Sequence, residues 1–242
     1  MARLELQNGG EFNLLQCDLV SSTGQISNLL SNMVGLTIFE GINQLTISGT
    51  ISIQDSYNLA SFAPIIGQEY LRIKIATPNL RGGENMIDYS LNPLIITAVD
   101  DRNPVGNGVQ LTTMSFSTRE FVINQRARVR RTLVGSYSDI VETMLKNDLA
   151  SDKTIDIQPS ADNKKMIAPN IKPLDVITIA TDKAVSKKYN DATYFFWETT
   201  SGFNFKTLGD MYSEEPIMKY ESSIAGTRSP GGVRNIIQEL SA

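Results

Sequence analysis

Residues 41–54 contain no charged side chain, and apolar and hydroxyl residues alternate through them with a period of two. Leu45, Ile47, Ile51 and Ile53 fall on one side; Thr46, Ser48, Thr50 and Ser52 fall on the other. A helix brings residues three and four apart onto one face, whereas a pleated strand sends successive side chains to opposite faces, so this spacing predicts a strand. Gly49 interrupts the apolar side, which predicts a bulge or the close approach of another group. A sheet face open to water normally carries scattered lysine and glutamate. A hydroxyl row without them either lies beneath another part of the same domain or meets another protein. Thr46, Ser48, Thr50 and Ser52 therefore form a first candidate protein interface.

The rest of the first half reads the same way. Leu4 and Leu6 alternate with charged neighbours ahead of a turn at Asn8, Gly9 and Gly10, and an apolar run resumes over 12–20. Further strands are predicted at 36–40, 70–76, 94–99 and 109–116. The last two flank residues 100–108, a loop rich in turn-forming Asp, Asn, Pro and Gly. Many short strands with regular turns predict a barrel or sandwich. After residue 118 the texture changes. Ile140, Val141, Met144, Leu145 and Leu149 recur at helical spacing, with Ser136 or Ser138 placed to cap and Asp139 at the positive end. Pro173 suits a first helical position, followed by Leu174, Ile177, Ala180, Ala184 and Val185 on one face. A buried strand is expected at 193–197, a hairpin loop at 198–202 and a return strand at 203–208. The fold class is therefore α+β. An N-terminal antiparallel β-barrel or sandwich over 1–118 precedes a smaller mixed α/β domain over 119–220. A Ser-, Gly- and Pro-rich linker and a short amphipathic segment occupy 221–242.

The chemistry these residues can support is narrow. The chain of 242 residues has no histidine, which removes the commonest general base, the histidine-dependent triads and the commonest zinc ligand. Its single cysteine, Cys17, excludes an internal disulfide and reads as a small buried apolar side chain, with no histidine to activate it as a nucleophile. There is no phosphate loop, dinucleotide fingerprint or nucleophile elbow. Asp101, Asn103 and Gly106 partly follow a calcium loop, but Val105 stands where an oxygen ligand belongs and Thr112 replaces the closing glutamate. A glycosidase-type carboxylate pair has no spacing motif to identify it. No catalytic residue, cofactor or metal is expected. No apolar run is long enough to span a bilayer and no signal core opens the chain, so a soluble protein without a cleaved export signal is expected.

Charge is uneven. Residues 1–118 carry five basic and ten acidic side chains; residues 119–242 carry 17 and 16. Within the second half Arg126, Arg128 and Arg130 alternate, with Arg131 adjacent. On a strand the three guanidinium groups would share a face suited to a partner's carboxylates, the alternative being a solvated surface. They form the second candidate interface. Nucleic acid is not expected there, because no aromatic residues interleave with the arginines.

Several blocks taken in order resemble the baseplate hub subunits of contractile-tailed (myovirus-type) phages: 45–58 (LTISGTISIQDSYN), 119–124 (REFVIN) with the arginines and 137–141 (YSDIV), 169–175 (PNIKPLD) with a helix to Lys188, and 194–198 (YFFWE) with 202–208 (GFNFKTL). The resemblance implies a tail-tube-like first domain and a homotrimer at the tail axis. In the virion such a ring joins the spike to the tail tube and adapts threefold to sixfold symmetry. It also implies a second tube domain, for which residues 233–240 would be the start in a shortened or truncated chain. The spike hub of a contractile secretion system and a tail-associated glycan hydrolase are the alternatives.

Overall fold

The computed structural model describes residues 12–55, 66–78, 84–106, 108–161, 163–215, 219–222 and 237–241. The strand expected at Leu4 and Leu6, its turn, and most of the linker lie outside them.

Eight strands form one antiparallel sheet: β1 (Asn13–Val20), β2 (Ile26–Asn28), β3 (Met33–Phe39), β4 (Ser48–Asp55), β5 (Tyr70–Pro78), β6 (Glu84–Asp88), β7 (Leu94–Gly106) and β8 (Val109–Ser117). Their order is β2-β1-β5-β7-β8-β4-β3, with β6 also paired to β5. The period-two segment becomes β4, an inner strand between β3 and β8. Its apolar side points where the alternation predicts: Ile47, Ile51 and Ile53 are buried with Cys17, Leu71, Ile73, Met114 and Phe116 in one core. Gly49 sits among them because the Phe116 ring lies against its Cα and the Thr37 carbonyl backs it. β3 and β2 are the edges, and no ladder among the described residues joins them.

The expected loop over 100–108 is instead paired backbone. β7 continues to Gly106 and shifts register three times against β8, the last time between Pro104 and Gly106. The bulges leave Thr97, Asp100 and Val105 outside the ladder, Pro104 sits opposite Gln110, and Gly106 and Gly108 turn the chain at positive φ. The result is a hairpin arm whose β7 side is exposed from Asp100 to Gly106.

The second half contains α1 (Arg119–Arg126), β9 (Val129–Gly135), α2 (Tyr137–Thr143), β10 (Thr154–Ile157), β11 (Lys164–Ile171), α3 (Pro173–Lys183), β12 (Tyr194–Thr199), β13 (Gly202–Thr207) and α4 (Leu208–Ser213). A π-helical turn, Met144–Asp148, extends α2. Ser136 and Asp139 close a reciprocal capping box at the start of α2. Pro173 opens α3, and Asn124 of α1 accepts the Leu174 N–H at 2.9 Å. The helix stops at Lys183, short of the expected Lys188, because Ala184 is extended. β12 and β13 form the expected hairpin, and β10 adds to β13 in parallel. Their aromatic side chains stack in pairs, Tyr194 on Phe205 at 4.4 Å and Phe196 on Phe203 at 5.6 Å, within a second core that includes Val141, Met144, Val176 and Ile177. β9 and β11 make a separate two-stranded ribbon over this core. Ile237–Ser241 (β15) is a strand paired with Lys219–Ser222 (β14). Among the described residues no helix is long and apolar enough to cross a membrane.

Candidate interaction surfaces

The hydroxyl row predicted from the sequence is built into the middle of the sheet. Thr46 lies just before β4; Ser48, Thr50 and Ser52 are on it and half-buried. Opposite them on β8 stand Ser117, Ser115 and Thr113, so the uncharged surface continues across a second strand. Ser52 and Thr113 share a hydroxyl hydrogen bond at 3.0 Å, and Ser117 donates to the Ile47 carbonyl at 2.8 Å. On the other flank β3 (sequence MVGLTIF) is an edge strand with no charge and no proline, the two devices that commonly guard an open edge.

The arginines do not lie on one strand. Arg126 is the last residue of α1, Arg128 is in the turn, and only Arg130 is on β9. The reason is local. Residues 119–126 form a helix whose Asn124 binds the start of α3, and Arg128 folds back to donate to the carbonyls of Gln125 and Ala127 at 3.1 and 2.7 Å. All three remain exposed. The adjacent Arg131 instead makes a two-pronged contact with Asp148, at 2.9 and 2.6 Å.

The calcium-loop residues are strung along the extended β7 arm, where they cannot curl around an ion, and Asn103 donates to Asp101 at 2.6 Å. Cys17 is a fully buried core side chain, and burial followed by the neighbouring Asp18 charge pushes its thiol up to about 11. We expect Cys17 to resist alkylation by iodoacetamide in the folded protein and to react only on unfolding, with mass spectrometry across a urea series as the check. Native-state labelling would show that this core opens.

A constellation that no motif announced joins the two halves. The Lys153 ammonium bridges Glu120 at 2.7 Å and Glu198 at 2.5 Å. The second oxygen of Glu198 accepts from the Ile47 N–H and the Thr118 hydroxyl, each at 2.9 Å, and Ser151 donates to Glu120 at 2.6 Å. Glu198, expected in the hairpin loop, lies within β12 and is 1% exposed; Glu120 is 2% exposed. Burial raises the Glu198 carboxyl above its ordinary value, against the lowering pull of Lys153 and of its hydrogen bonds. Two buried carboxylates sharing one ammonium tie β12, the start of α1 and the segment before β10 together. The adjoining groove of about 390 Å³ exposes Asp139, Glu142 and Lys146 as well. Glu142 and Lys146 pair with each other, and Asp139 caps α2. Only hydrogen-bond partners in space, invisible in sequence spacing, mark out Glu120, Lys153 and Glu198.

No protein-family model matches the chain. No curated protein matches it either. Solved structures do. The tail protein from Neisseria meningitidis MC58 superimposes with a TM-score of 0.50 at 11% identity, over 88% of this chain and 61% of that one. The 43 kDa tail protein of prophage MuSo2 from Shewanella oneidensis gives 0.48 at 11% identity, over 79% and 53%. A component of the type VI secretion system of E. coli gives 0.41 at 9% identity, over 89% and 57%. The chain thus spans about half to three fifths of the length of these proteins. What the Neisseria comparison establishes is architecture: this chain has the fold of a tail protein over most of its length.

Proposed function

We propose that this chain is a structural baseplate protein of a contractile phage tail, a hub that acts by assembling rather than by catalysis. In this reading three copies close into a ring at the tail axis, the ring connects the spike to the tail tube, and the virion is where it resides. The observation that carries the proposal is the fold shared with the Neisseria tail protein over 88% of the chain. Two features of the surface support it. The outer rows of β4 and β8 carry hydroxyls without charge, and the unguarded edge β3 can be completed by a neighbour's strand. Strands paired across a ring would make a stiff collar able to transmit the thrust of contraction.

The test is sedimentation velocity over a wide concentration range, followed by projection images of the largest species down its axis. A three-membered ring is expected. A monomer persisting at the highest concentration would overturn the proposal, as would measurable glycan turnover abolished by Glu120→Gln.

A further inference from the structure

The second half carries a groove with an open strand along one side. β10 is the edge of the β10-β13-β12 sheet, and among the described residues no strand pairs with its outer side. Gln158, just past β10, donates its N–H to the Phe205 carbonyl of β13 at 2.8 Å. Backbone groups alternate in direction along a strand, so Asp156 also faces β13, while the N–H and C=O groups of Ile155 and Ile157 face the open side. The side chains of Ile155 and Ile157 lie on the core face, in register with Phe203 and Phe205, yet both are only half-buried. The far wall is α2 with its π-helical extension: Ser138, Glu142 and Lys146 stand across the groove of about 390 Å³ from Ile155, Ile157 and Pro159. An edge strand beside a helix, with half-buried apolar side chains between them, is a geometry that accepts an added strand.

We infer that this groove receives β3 of a second copy of the chain, laid beside β10 as a fourth strand. Charge selects the occupant first. The charges lining the groove already have partners: Glu142 pairs with Lys146 at 2.5 Å, Asp139 accepts the Ser136 N–H at 3.0 Å, and Lys153 lies between Glu120 and Glu198. An occupant bringing a charge would bury it without a counter-charge, whereas an uncharged strand strands nothing. β3 has no charged residue over its seven positions. Among the other described strands with an open side, β2 spans only three residues, and β6, β7, β9, β11, β12, β14 and β15 each carry at least one charged residue. The faces of β3 fit as well. Leu36 and Ile38 pack on its own core, while Thr37 and Phe39 share the opposite, exposed face, Phe39 at 47%. Beside β10 that face turns toward α2, and the Phe39 ring covers Ile155 and Ile157 as an aromatic anchor. Two β3 strands paired across a twofold axis would instead leave both Phe39 rings on a face open to solvent. The contact joins unlike surfaces, which is the kind that repeats around a ring.

The inference rests on the assembly role proposed above, and two measurements on the full chain separate them, with circular dichroism confirming the fold of every variant. In the first, Thr37→Cys is combined in turn with Ile155→Cys and with Ile157→Cys, and the oxidised proteins are run on non-reducing gels. Cys17 is fully buried and takes no part. One of the two combinations is expected to give covalent multimers that a reductant dissolves, and none of the single variants is. In the second, sedimentation follows Phe39→Lys, Lys146→Glu and both together. Phe39→Lys is expected to weaken association by about tenfold or more and Lys146→Glu to change it by less than about threefold. The pair together should return to within about threefold of wild type, because the introduced ammonium then meets an acidic wall. Self-association that persists with neither cross-linked multimers nor an effect of Phe39→Lys would overturn this contact while leaving the assembly role standing. Covalent dimers from Thr37→Cys alone would show β3 pairing with β3 and overturn it too. A wild-type chain that stays monomeric would overturn both.

Discussion

Replacing Lys153 with methionine is expected to lower stability by about 3–5 kcal/mol, the range for removing one partner from a buried ion pair. The side chain is nearly the same length, so packing is largely retained while the one cation between Glu120 and Glu198 disappears. Two carboxylates would then face each other where water cannot screen them. The pH dependence distinguishes this from a loss of packing. Glu198 already has a raised carboxyl value in the folded state, so between its unfolded and folded values the native protein holds a proton that the unfolded chain has released. Stability from this group is therefore complete below the unfolded value and is lost as pH rises through the folded one. Without Lys153, which pulls that value down, the window moves upward. The variant should be weakest near neutral pH and recover as pH falls toward the ordinary carboxylate range. Urea unfolding of both proteins at neutral and mildly acidic pH is the measurement. An equal deficit at both pH values would mean that the ammonium contributes only shape.

The second large effect is expected at Gly49. A Cβ there would overlap the Thr37 carbonyl and the ring of Phe116, whose Cε2 would lie only 2.7 Å away. The carbonyl belongs to a paired backbone and cannot retreat without parting β3 from β4, so Gly49→Ala should lower stability by about 3 kcal/mol or more. Gly41→Ala is the control, since a Cβ at Gly41 meets nothing within 4 Å and its effect should stay within about 0.5 kcal/mol. Thermal unfolding of the two variants gives the comparison. Near-equal values would mean that Phe116 and the ladder shift aside, and the close packing around Gly49 would not be limiting.

How much of this could be read beforehand depended on whether the signal was local. The alternation of β4, a close approach at Gly49 as one of two readings, a serine cap at 136 or 138 and the opening of α3 by Pro173 are set by neighbours in the chain and were legible; that Ser136 and Asp139 bond reciprocally was not. Residues 100–108 were misjudged because turn-forming composition describes the preference of an isolated backbone, whereas pairing with β8 satisfies that backbone and bulges absorb the misfits. The arginine segment was misjudged because its period of two is too short to outweigh the helix that Asn124 anchors to α3. Glu198 was the least accessible of all. A Glu beside Thr-Thr-Ser-Gly reads as a solvated turn, and only a lysine 45 residues away and an amide 151 residues away give it a buried place.

That last separation governs how the molecule can be made. All eight strands of the first sheet have been translated once Ser117 is added. Yet the Ile47 amide at the mouth of β4 has its acceptor on a residue translated 151 positions later, and β10 must wait for β13 before it has any strand to join. Synthesis therefore passes through a stage in which the Ile47 amide, the Thr118 hydroxyl and the Lys153 ammonium have all been made before the carboxylate they share. Arrival of β12 supplies one acceptor to Ile47, Thr118 and Lys153 at once, and β13 follows directly behind it to give β10 its strand, so the two halves are joined by the last hairpin of the second half.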